Sequence, residues 1–194
     1  MVSRSWHAWA LTLFIFVADQ LSKWAILEHL LRPAALGRAG HPQSPVSWFF
    51  SPQARLPYAE IEILPFFNLT MVWNTGISFG LLAGGPETMR WLLITVSVIV
   101  ASGFALWMGR STCPWLRCGL ALVIGGALGN VLDRLRFGAV ADFFDFHAFG
   151  WHFPAFNVAD AAITVGILLV LGVQLLDKGA AKPTSYNVST PEGE

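Results

Sequence analysis

Two aspartates stand in otherwise apolar surroundings, Asp142 in "VADF" and Asp160 in "FNVAD". Two carboxylates brought close cannot both ionise cheaply, so they tend to share one proton. The ionised one can then take a proton from water while the protonated one polarises a scissile carbonyl, an arrangement that suits peptide hydrolysis. Asp160 also has a plain structural reading. It opens a long apolar run, Asn157 before it is a good N-cap, and an acid three residues on suits the positive end of the helix dipole. Spacing alone leaves both readings open.

Three more polar clusters accompany this pair. In "DQLSK", Asp19 and Lys23 are i and i+4, so they share a helix face and can neutralise each other. A buried ion pair orienting that helix is favoured there over direct catalysis. In "GNVLDR", Asn130 and Asp133 share a face, and Arg134 can bind a carboxylate or the polar edge of a lipid head group; a structural ion pair is the equal alternative. The remaining cluster is Asn74-x-Gly76. No serine–histidine, cysteine–histidine or H-E-x-x-H arrangement competes. A metal site built from Asp142, Asp145, His147 and His152 ranks below solvated loop positions for Asp145 and both histidines, so no metal or cofactor is expected. Cys113 and Cys118, in a short polar break without a second pair, read as free thiols.

The elements that must position these residues are apolar helices. Of 194 residues, 55% are hydrophobic and 12% charged, against about 25% charged in soluble domains. Twelve basic and twelve acidic residues cancel, leaving no basic field to hold nucleic acid. A span needs about 20 residues, and the uncharged runs reach that length only by drawing in their charged flanks. This gives spans of about 6–31, 88–109, 115–134 and 157–176 in a single integral membrane domain, 1–178, with the first run retained and not cleaved as a signal. Alternating directions put Asp19, Asp133, Asp160 and the 135–155 connection on one side. Ionisable residues in a membrane are functional candidates by default. The stretch "EIEILPFFNLTMVWNTGISFG" suggests short strands, interrupted at Pro65, in a small platform over about 58–82. Residues 32–57 read as loop and 179–194 as a disordered tail. The fold class is therefore membrane all-α, a four-transmembrane-helix bundle with a small β platform. Counting basic residues does not orient it.

Together, "DQLSK", "NTGISFG", "GNVLDR", "VADF" and "FNVAD", in that order, make the chain resemble the lipoprotein signal peptidases, the signal peptidase II family, across nearly its whole length. The resemblance implies a membrane aspartic endopeptidase of the bacterial cytoplasmic (inner) membrane, with both termini cytoplasmic and the platform and active site near the extracytoplasmic face. Its implied substrate is a prolipoprotein carrying a diacylglyceryl-cysteine, cut on the amino side of that cysteine. It assigns Asp142 and Asp160 as the catalytic pair. Asn74, Gly76, Asn130, Arg134 and Asn157 match site-lining and site-shaping positions, and Asp19, Lys23 and Asp133 match a polar framework. Membrane lipids and cyclic peptide inhibitors are implied partners, and a monomer is expected. The 32–57 connection is longer than usual for the family, and Ile77 stands where a smaller residue is common. An ion-coupled transporter would instead place its polar groups near the midplane, on interrupted or repeated helices. A membrane scaffold would use every acid as a cap or ion-pair member.

Overall fold

A computed structural model describes residues 6–37, 40–50, 54–76 and 85–180. Among them, the helices long and apolar enough to cross a membrane are Trp6–Leu36, Glu87–Arg110, Pro114–Phe137 and Val158–Leu176. The first is composite: α1 (Trp6–Ile26) passes through a π-helical turn (Leu27–Leu31) into α2 (Arg32–Leu36). Pro33 has no N–H to give, and its ring crowds the carbonyl four residues back, so the backbone widens just before it. On α1 the polarity is inverted. Asp19, Gln20 and Lys23 are buried, while Leu13, Phe14, Val17 and Leu21 are exposed. That is the pattern of a helix with lipid outside and partners inside.

α5 (Pro114–Phe137) is the central helix, packed against α1, against α4 (Gly85–Arg110) and against α6 (Val158–Ala180). Close approach to α6 depends on Gly126, where a Cβ would run into the Ala159 carbonyl. Small residues let membrane helices approach this closely, and dispersion contacts then hold them where lipid supplies no hydrophobic drive.

At one end of the bundle lies an antiparallel sheet in the order β1-β2-β3-β4. β1 (Glu60–Leu64) and β2 (Phe67–Asn74) form a hairpin that turns at Pro65 and Phe66. β3 (Val140–Ala148) pairs with β2, with Val72 opposite Asp142 and Asn74 opposite Val140, and the short β4 (Trp151–His152) pairs with β3. Leu69, Met71 and Phe143 from the sheet bury against Leu27 and Leu31 of the π turn, which seats the sheet on the end of α1.

Two local expectations fail. Residues 32–57 are not simply loop, since they hold α2 and α3 (Pro45–Phe50). Trp48 of α3 is 1% exposed, with the Arg136 guanidinium stacked 4.0 Å from its ring. Asp145, His147 and His152 are not loop residues either: Asp145 and His147 lie in β3, where Asp145 is buried, and His152 pairs with His147 from β4. Of the expected platform and tail, residues 77–82, including Ile77, and 181–194 lie outside the described residues, while Gly179 and Ala180 continue α6.

Candidate active site

The site is assembled where α1, α5, β3 and the start of α6 meet. Its foundation is a buried ion triad. Lys23 Nζ lies 2.8 Å from Asp19 Oδ2 and 2.8 Å from Asp133 Oδ2, with all three side chains sealed from solvent. Gln20 Nε2 donates to Asp133 Oδ1 at 3.0 Å and to Asp19 Oδ2 at 3.1 Å. One cation between two acids leaves a surplus of buried negative charge, so the remaining carboxylate oxygens need donors.

Those donors are backbone amides next to the paired aspartates. Asp133 Oδ2 accepts the Ala141 N–H at 3.2 Å, one residue before Asp142. Asp19 Oδ1 accepts the Ala159 N–H at 3.0 Å, one residue before Asp160. The triad thereby fixes the backbone from which each of these aspartates projects. The i, i+4 spacing in "DQLSK" anticipates the Asp19–Lys23 pair. Nothing in the sequence announces the grip on Ala141 and Ala159, because it is made to main-chain atoms. Gln20, present in the same motif, is a further buried member of the network.

Asn157 joins the two aspartates. As N-cap of α6, its Oδ1 accepts the Asp160 N–H at 2.9 Å, and Asp160 Oδ2 accepts the Asn157 N–H at 3.3 Å. This reciprocal cap is the capping-box arrangement with an amide at the N-cap and the shorter Asp in place of Glu. The Asn157 Nδ2 group donates to Asp142 Oδ1 at 2.7 Å. Asn130 donates to Asp160 Oδ1 at 2.7 Å and accepts from Lys23 at 3.4 Å. Asn74 ends β2 opposite Val140, two residues from Asp142 on β3, and its Oδ1 accepts the Gly76 N–H at 2.9 Å. Gly76 takes φ +77°, and a Cβ there would meet the Leu93 side chain. Arg134 is half-buried and donates to the Asn130 carbonyl at 3.4 Å. The Asp133 carboxylate pairs with Lys23, not with its neighbour Arg134.

Asp142 is 1% exposed, whereas Asp160 is half-buried. Burial pushes the Asp142 carboxyl up to about 7, and the Asp160 charge adds to the rise; hydrogen bonds from Asn74 and Asn157 and the charge of Lys23 oppose it. A carboxyl with that value exists in both protonation states near neutrality, as general acid–base chemistry needs.

The grouping of Asp142 with Asp145, His147 and His152 is divided by strand alternation. Asp145 lies three residues along β3, on the opposite face, accepting from Thr70 at 3.1 Å and lying 2.9 Å from His152 Nδ1.

Fold and site together define a multi-pass membrane protein that collects its buried ionisable side chains at one end of a helical bundle. The chain belongs to the signal peptidase II family, whose profile, described as signal peptidase (SPase) II, matches residues 11–176, and it is a peptidase of that family. Bacterial proteins named lipoprotein signal peptidase are similar to it. That of Sphingopyxis alaskensis is 47% identical over 162 residues, covering 83% of this chain and 80% of its own. That of Rhizorhabdus wittichii is 39% identical over 173 residues, covering 87% of each. A solved structure described as a bacterial membrane enzyme has the same fold, with a TM-score of 0.66 and 24% identity over 92% of this chain and 93% of that one.

Proposed function

We propose that this protein removes the signal peptide from diacylglyceryl-modified prolipoproteins, cutting on the amino side of the lipidated cysteine with Asp142 and Asp160 as an aspartic dyad. The observation that carries the reading is the Asn157 side chain, which donates to Asp142 while capping the turn that holds Asp160. Two acids from distant chain positions are thereby held by one amide. A cap alone requires no such partner.

In this mechanism Asp142, the more buried acid, holds the shared proton and polarises the scissile carbonyl. Asp160, the more exposed, takes a proton from the attacking water. The oxygen of that water bonds to the carbonyl carbon. On collapse the carbon–nitrogen bond breaks and the amine leaves with a proton returned by the dyad. Asn130 and Asn157 orient the carboxylates, and Arg134 supplies positive charge beside them. Asn74 and Gly76 shape the β2 side of the site. The substrate remains in the bilayer, with its cleavage site near the extracytoplasmic surface of the bacterial inner membrane. Cyclic peptides that mimic it bind at the dyad, and the chain acts as a monomeric membrane domain over 1–178.

The test is cleavage of a lipid-modified precursor by purified protein. Asp142→Asn and Asp160→Asn each fold, as judged by thermal unfolding, and leave the precursor uncut. Normal cleavage by either variant would overturn the dyad. Loss of folding without loss of specific activity for Asp160→Asn would leave Asp160 a cap.

A further inference from the structure

A second concentration of charge lies at the same end of the bundle. Arg55, Arg90 and Arg136 line a cavity of about 400 Å³ together with Thr75, Glu87 and Gly138. It forms where α5 ends and α4 begins, in the connection between membrane and water.

Helix capping explains part of this gathering. Arg55 Nε donates to the Phe137 carbonyl at 2.8 Å. Arg90 donates to the Arg134 carbonyl at 2.8 Å and to Leu135 at 3.1 Å. Arg136 Nη2 donates to the Trp48 carbonyl. Cations near the Arg134, Leu135 and Phe137 carbonyls complement the negative end of the α5 dipole, while Arg136 ties α5 to α3. Capping does not consume the donors, since a guanidinium carries five N–H groups. Arg136 Nη1 is buried with no acceptor among the described residues, while its guanidinium is held over the Trp48 and Phe137 rings at 4.0 and 4.7 Å. Nor is the charge balanced. Glu87 is the acid in the lining, and its side chain is 70% exposed while it pairs with Arg90 at 3.1 Å.

We infer that this cavity binds a phosphate oxyanion. Fixed, forked guanidinium donors match phosphate oxygens in geometry as well as charge. The interfacial position favours the phosphodiester of an anionic phospholipid as the source, because that is where lipid phosphates lie. Its lining includes neither Asp142 nor Asp160, so binding there is tested independently of the proposed catalysis.

Purified full-length protein in micelles is titrated with dihexanoyl phosphatidylglycerol, dihexanoyl phosphatidylcholine and inorganic phosphate, and binding is read by calorimetry. Phosphatidylglycerol binds saturably, about tenfold more tightly than the zwitterionic lipid. Arg55→Gln weakens it about tenfold. Glu87→Gln removes the competing carboxylate and tightens binding about threefold, a gain that a purely helix-capping role for the arginines does not give. Because Glu87 is exposed, this variant keeps the test open should Arg55→Gln unfold. Asp142→Asn binds as the parent does. Inorganic phosphate binding as tightly as phosphatidylglycerol, with the same response to Glu87→Gln, identifies the free anion as the source. Absence of saturable binding by either anion, or an affinity that ignores Glu87→Gln, overturns the site.

Discussion

Asn157 is the residue on which the proposed site turns, because its two amide ends have different duties. The oxygen caps α6 and the nitrogen donates to Asp142. Asn157→Asp keeps a capping oxygen but replaces the donor with a third carboxylate. It should lower cleavage by about a hundredfold or more with modest loss of stability. Asn157→Ala should also lose about 1 kcal/mol of helix stability. Equal cleavage by Asn157→Asp and the parent would sever the amide from the chemistry. The Asp142 carboxyl makes a pH prediction. Its value is raised from 3.8 to about 7 by burial first and by Asp160 second, so the folded state favours the protonated form. The associated stability is full below pH about 4 and is lost as pH rises through about 7. Asp160→Asn removes the second cause and should move the Asp142 titration, followed by carboxyl-carbon NMR, to lower pH. An unmoved midpoint would show that the two groups are not coupled.

At the scale of elements, the Asp19–Lys23–Asp133 triad is the joint between α1 and α5, and through Ala141 and Ala159 it also reaches β3 and α6. Lys23→Met leaves two buried carboxylates facing each other and should cost about 3–5 kcal/mol. Replacing all three members with apolar residues of similar volume should cost far less, yet still lower activity, because Ala141 and Ala159 lose their acceptors. Unfolding and cleavage measured on both variants separate the stabilising from the positioning role. A triple variant as active as the parent would refute the positioning role. This joint was half legible in the sequence. Helical spacing places Asp19 beside Lys23, and the apolar runs locate the helices around them. β3 was hidden because "VADFFDFHA" puts acids three apart and aromatics side by side, so it lacks the alternation of a half-buried strand. Its pairing partner β2 selects the strand from more than 60 residues away, and Asp133 holds its Ala141 amide from the end of α5, through contacts no local pattern encodes. α3 was hidden likewise: its six residues fall in the Pro-, Gly- and Ala-rich stretch read as loop, and only the packing of Trp48 against Arg136 fixes them.

For the whole molecule, the helices give the two ends of the bundle opposite character. α4 runs away from the site end and α5 returns to it; Cys113 lies in the turn between them and Cys118 near the start of α5. The sheet, with Phe149 fully exposed at the β3–β4 turn and taking φ +53°, lies at the site end. If that end faces outward, as the proposed cleavage of a translocated substrate requires, the cysteines and Phe149 lie on opposite sides of the bilayer. Phe149 packs against nothing, so Phe149→Cys in a chain with Cys113→Ser and Cys118→Ser should fold and remain active. In intact cells stripped of their outer barrier, a membrane-impermeant maleimide should label that variant within minutes. The parent, carrying only its own Cys113 and Cys118, should be labelled only after the membrane is opened. The reverse pattern would place the aspartates on the cytoplasmic side, where a lipidated and translocated precursor does not present its cleavage site, and would remove the substrate assignment along with the orientation.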